Sequence, residues 1–147
     1  MTRARSVGLI LLALAIAFAL VPLVRGAVEL PTAQHHLLHS LLIAASALAA
    51  LLLAAPNRSP ASGAFGWLLV AMFAPVAAMA LMWPSEYTWF ELHPGGHAVE
   101  HLGLVFLGFL TAYAGQRYCA GVGWAAGLTL FGMALACAWG FGVAPAV

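Results

Sequence analysis

The sequence predicts an all-α fold: a polytopic membrane protein whose single domain, 1–147, is a bundle of five transmembrane helices. Three observations predict it. Hydrophobic residues make up 65% of the 147 residues and charged residues 6%, and the mean hydropathy is +1.03. A soluble domain carries about 25% charged residues, so this chain cannot cover a water-facing surface with charge. The apolar residues fall in five continuous runs near the roughly 20 residues that a helix needs to cross a bilayer. The runs do not alternate in polarity and are rich in Ala and Leu, which favours helix over membrane strand.

The expected spans are 7–24, 36–55, 65–83, 98–115 and 121–141. Arg3 and Arg5 precede the first, as in a signal peptide, but Leu23-Val24-Arg25-Gly26-Ala27 lacks an A-x-A cleavage pattern, so the stretch reads as a span. Pro and Gly mark the connections. Gly26 to Gln34 contains Pro31, Pro56 to Gly63 contains Pro60, and Pro84 to Gly96 ends in the turn Pro94-Gly95-Gly96. Gln116 to Ala120 is the tightest. Pro22 and Pro75 fall within spans, where a proline favours a kink. Gly123 and Gly127 form a GxxxG pattern suited to close helix packing.

The few charges orient the bundle. All five basic residues are Arg and all four acidic residues are Glu. Arg3, Arg5, Arg58 and Arg117 fall on one side of a five-span chain, and Arg25 falls on the other with Glu29, Glu86 and Glu91. By the positive-inside rule the N-terminus is cytoplasmic and the C-terminus extracytoplasmic, in the cell inner (plasma) membrane. Trp83, Tyr87, Trp89 and Phe90 read as an aromatic belt at the outer interface. A net charge of +1 gives no field for nucleic acid, and lipid is the expected surroundings. Cys119 and Cys137 make neither a disulfide framework nor a CxxC zinc pattern.

This orientation gathers all six His on the extracytoplasmic side. His35, His36 and His39 stand at the start of the second span, and His93, His97 and His101 at the start of the fourth. His35 and His39 are four residues apart, as are His97 and His101, so each pair shares a helix face. Each pair is expected to straddle the start of its helix, at a common depth. If the two spans are neighbours, four imidazoles converge, and imidazole suits copper, zinc and iron. Glu100, within His97-x-x-Glu100-His101, either ligates the metal or orients a ligand histidine. His36 and His93 are further candidates, though a lone interfacial His is commonly a polar anchor. Met79 and Met82, at the outer end of the third span, are candidate soft ligands for Cu(I), and Cys137, in the outer half of the fifth, is another, although such residues in a span are more often packing. The H-x-x-E-H pattern also matches an inverted zinc-protease motif, which would need water and substrate access.

The segment Gln34-His35-His36-Leu37-Leu38-His39-Ser40-Leu41-Leu42 and the segment His97-Ala98-Val99-Glu100-His101-Leu102-Gly103-Leu104-Val105-Phe106-Leu107-Gly108 together resemble the His-x-x-x-His spans of the CtaG proteins. These are membrane assembly factors of caa3-type cytochrome c oxidases. The resemblance covers the second to fourth spans. It implies copper delivery to a haem–copper oxidase, with His35, His39, His97 and His101 as metal-binding positions and Glu100 beside them. The chain departs from the family in having fewer spans than the usual seven, and in carrying His36 where an apolar residue is often found.

The expectation is therefore a copper-binding membrane protein that binds and transfers its metal rather than turning over a substrate. Three alternatives stand beside it. One His from each span could hold a b-type haem. His with Glu could form the site of a metal-dependent enzyme, with zinc as a possible ion. The cluster could also be structural, in an accessory subunit of a respiratory complex.

Overall fold

A computed structural model describes residues 2–21, 32–55 and 64–143. Pro22, Arg25, Gly26, Glu29, Pro31, Pro56, Arg58 and Pro60, and with them most of the first two expected connections, lie outside the described residues. The described residues form helices and no strand. In chain order these are α1 (Arg3–Ala19), α2 (Thr32–Leu53), α3 (Phe65–Leu81), α4 (Pro84–Glu91), α5 (Pro94–Tyr118) and α6 (Ala120–Val143).

Three of them contain segments long and apolar enough to cross a membrane: Gln34–Leu53 in α2, Gly95–Tyr118 in α5 and Ala120–Gly140 in α6. The described parts of α1 and α3 are 17 residues each, which at 1.5 Å per residue gives about 26 Å. That is a little short of the roughly 30 Å hydrocarbon core. Helix α3 continues through Pro75.

Two boundaries differ from the expectation, and both move because of proline. The segment after Trp83 is not simply a connection, because Pro84 opens the short helix α4. Helix α5 begins at Pro94, so the expected Pro-Gly-Gly turn is its first turn. Proline at the first helical position lacks only an N–H that has no helical partner there, and its φ is preset for helix. His93 before it is extended, with φ −128° and ψ 108°, as the residue before a proline prefers. Both His pairs consequently sit inside their helices rather than across the starts. His35 lies three residues after Thr32, and His97 three residues after Pro94.

Helix α5 packs against every other described helix, and α2 packs against α1, α5 and α6. Paired contacts run in the same order along α2 and α5: His35 with His97, His39 with His101, and Ser46 with Gly108. The two helices are therefore parallel and in register. The α5 side of the seam is His97, His101, Leu104, Gly108, Thr111 and Gly115, all buried and spaced alternately four and three apart. That spacing keeps one stripe of a helix facing its neighbour.

Small residues set the closeness. A Cβ added at Gly108 would lie 2.5 Å from the Ser46 Oγ and 3.1 Å from the Ile43 carbonyl oxygen. Between α5 and α6 only Cys119 is outside a helix, and a Cβ on Gly115 would lie 2.7 Å from the Gly123 Cα. The expected GxxxG pattern is thus used inside the chain, since Gly127 faces Ala47 and Ala112.

The surface is the inverse of a soluble protein's. Six His and Glu side chains and many alanines are buried, while Ile10, Leu14, Phe18, Phe73, Val76, Leu128 and Trp139 are exposed. Large apolar side chains face outward where the solvent is lipid, and small ones pack helix against helix. Trp83 and Trp89 of the expected aromatic belt are exposed.

The seam yields a direct test. Gly108→Val forces a branched side chain against the α2 backbone and should cost about 1–3 kcal/mol, the range for overpacking. Gly132→Ala, on α6 with open space around it, should be neutral or slightly stabilising. Thermal unfolding of the detergent-solubilised protein, followed by circular dichroism, checks both. Equal melting temperatures for the two variants would contradict the close seam.

Candidate metal centre

Helical spacing creates the site. On α2, His35 and His39 are one turn apart on the face toward α5, and on α5, His97 and His101 are one turn apart on the face toward α2. Parallel packing in register then brings two pairs to one level. His35, His39, His97 and His101 are each no more than 3% exposed. One ligand nitrogen from each lies within 4.8 Å of the others, a grouping that could hold a metal ion.

The shortest contacts are all between Nε2 atoms. His97 and His35 are 2.9 Å apart, His101 and His39 3.1 Å, and His101 and His35 3.4 Å. The His35 and His97 rings stack at 4.6 Å between centroids with 19° between planes. His39 meets His101 edge-on, at 5.0 Å and 80°.

Proton accounting shows what such a cluster can do. Each neutral Nε2 carries either one N–H or one in-plane lone pair. In a row of contacts 97–35–101–39, only two can be N–H donors facing lone-pair acceptors. The 2.9 Å and 3.1 Å contacts fit that role, which leaves the 3.4 Å contact between His35 and His101 unserved by the same atoms. A cation accepts lone pairs from all four nitrogens at once. Tetrahedral ligands at 2.0–2.1 Å from zinc are separated by roughly 3.3 Å, and the three contacts bracket that spacing.

The other expected site residues are distributed unequally. Glu100 is fully buried, and its Oε1 lies 4.0 Å from the His39 Nε2. It borders the four-nitrogen group without belonging to it. His36 is buried too, its ring perpendicular to His39 at 5.6 Å between centroids, but it supplies no nitrogen to the group. The structure does not bring His93 to the site. That residue is exposed, its Nδ1–H donates to the Trp89 carbonyl at 2.9 Å, and its ring stacks on Trp89.

Met82 is buried in the apolar cluster that includes Ile43 and Leu104, and Met79 and Cys137 are half-buried against the same cluster. Ile43 follows His39 by one turn, and Leu104 follows His101 by one turn, so this cluster is the floor of the histidine site. Ser46 and Gly108 escaped the sequence reading, although a signal existed. Each lies seven residues past a site histidine, His39 and His101, and so on the same helix face.

Fold and site together define a class: a helical protein with membrane-like helices and a buried four-histidine cluster able to hold a metal ion. No family model, no curated protein and no solved structure matches the chain.

The geometry ranks the histidines. His97→Ala with His101→Ala removes two of four nitrogens and should weaken metal binding by more than about 100-fold. Glu100→Gln should fall within the roughly 10–100-fold loss typical of groups that orient ligands. His93→Ala should bind as wild type does. Metal content of each purified variant, with competition against a chelator, measures all three. Wild-type binding by the His97/His101 double variant would refute the site.

Proposed function

We propose that the chain is an integral membrane copper-binding protein that hands its metal to a partner, as an assembly factor of a haem–copper oxidase does. The observation that carries this reading is the convergence of four buried imidazole nitrogens from two parallel helices. All-imidazole coordination suits copper. The resemblance of the two His-x-x-x-His segments to the CtaG proteins supplies the recipient. In this reading the bundle has five spans, with α1 and α3 completing the three longer helices. The N-terminus is cytoplasmic, and the His cluster lies toward the extracytoplasmic ends of α2 and α5, the side from which copper arrives.

The chemistry is ligand exchange. Imidazoles hold the ion by lone pairs alone, so it can leave without breaking a covalent bond of the protein. Glu100 beside His39 supports the ligand set from outside it. A haem reading is less well served by the same geometry. Five of the six pairs among the four rings lie 4.4–5.5 Å apart between centroids, and a macrocycle needs two axial histidines with its full plane between them.

The test is genetic and analytical. Cells lacking this chain should assemble haem–copper oxidase deficient in copper, with activity lowered severalfold and partly restored by excess copper in the medium. Cells carrying the His97→Ala/His101→Ala double variant should behave like the deletion. Oxidase with full copper content in the deletion strain would remove the delivery role. It would leave the metal site itself standing.

A further inference from the structure

Sulfur is concentrated in one place. The chain has five Met and two Cys. Of these seven residues, Met79, Met82 and Cys137 meet the same apolar cluster, whereas Met72 and Met133 face outward, 59% and 41% exposed. The gathering follows from helix geometry. Met79 and Met82 are three apart at the end of α3, where the Met82 N–H donates to the Met79 carbonyl at 3.2 Å. Leu130, Ala134 and Cys137 follow one another at helical spacing along α6, the first two fully buried and the third half-buried in the same cluster. Two helices thus present sulfur to one shared layer, and Cys137 is a free thiol.

The position of that layer gives it meaning. Ile43 and Leu104, its α2 and α5 members, each follow a site histidine by one turn. Thioethers are soft ligands that favour Cu(I), while thiolate and imidazole accept copper and zinc alike. Methionine is a common filler of apolar gaps. Three sulfur side chains in or against one apolar cluster, whose Ile43 and Leu104 lie one turn past site histidines, is a narrower observation than one methionine in a core.

We propose that Met79, Met82 and Cys137 form a second, soft site for Cu(I) adjoining the four-histidine cluster. The proposal rests on the copper reading and adds its selectivity. The histidines accept either ion, and the two thioethers of the sulfur layer favour Cu(I) over zinc. Binding forms bonds from copper to the two thioether sulfurs and the Cys137 sulfur. The thiol proton passes to buffer, and no electron moves.

The test uses the full chain in detergent under anaerobic conditions, with Cu(I) supplied as its acetonitrile complex and Zn(II) as the contrast. Wild type should take up more Cu(I) than Zn(II) by one equivalent, and copper-edge X-ray absorption should show sulfur among the ligands. The Met79→Leu/Met82→Leu/Cys137→Ser variant should lose that equivalent and the sulfur signal, yet still bind Zn(II) at the histidines, which also shows that it is folded. The His97→Ala/His101→Ala variant should lose Zn(II) and keep sulfur-ligated Cu(I). Purely nitrogen-ligated copper in wild type would overturn the proposal, and that measurement needs no variant. If the histidine variant instead keeps its Zn(II), the histidine site fails and the sulfur site is judged separately by its own spectrum.

Discussion

The meeting of four imidazoles on the α2–α5 seam is the constraint on which the rest of the structure turns. Imidazole is polar, and burying a polar group without a partner costs about 1–3 kcal/mol. Hydrogen bonds between membrane helices average only about 0.6 kcal/mol, so the two N–H···N contacts among these rings contribute about 1 kcal/mol together. A coordinated ion is on another scale, since structural zinc sites contribute apparent free energies of roughly 10–16 kcal/mol. The two N–H···N contacts by themselves are a weak reason to collect four histidines at no more than 3% exposure. The grouping could hold a metal ion, which would engage all four nitrogens at once.

Convergence of that kind needs parallel helices at a fixed register, and the remainder of the seam provides it. Gly108 lets the α2 backbone approach where any side chain would collide. Thr111 and Ser46 turn their hydroxyls onto their own helices, to the carbonyls of Leu107 and Ile43, so neither needs a partner across the interface. At the far end Gly115 and Gly123 allow α6 to fold back after a single extended residue, Cys119. Helix α5 touches every other described helix. The bulky apolar residues are displaced to the outside, which is where a lipid-facing surface requires them.

Much of this was legible in the sequence, because its signals were periodic. Long apolar runs give helices, and four-residue His spacing gives pairs on a face. The four ligands follow once α2 and α5 are neighbours, and that adjacency is what the sequence leaves open. Proline misled at the boundaries. In Pro84 and Pro94 the same residue that marks a connection also starts a helix. His93 shows the limit of clustering as a criterion. It lies four residues before His97, yet it caps α5 rather than joining the helix, and its ring turns to Trp89.

The division of the ligands between two helices determines how metal and fold depend on each other. Within α2 the spacing of His35 and His39 is fixed by the helix, and the same holds for His97 and His101 in α5. An ion can therefore add little to the stability of either helix alone. Its binding free energy acts between them, at the end of the seam furthest from Gly115 and Gly123. A ligand that binds only the assembled arrangement stabilises that arrangement by mass action. If the cluster holds an ion, the rest of the bundle does not depend on it: Leu42 with Val105 and Leu102, the cluster of Ile43 and Leu104, and the close approach of Ser46 to Gly108 hold the packing without it.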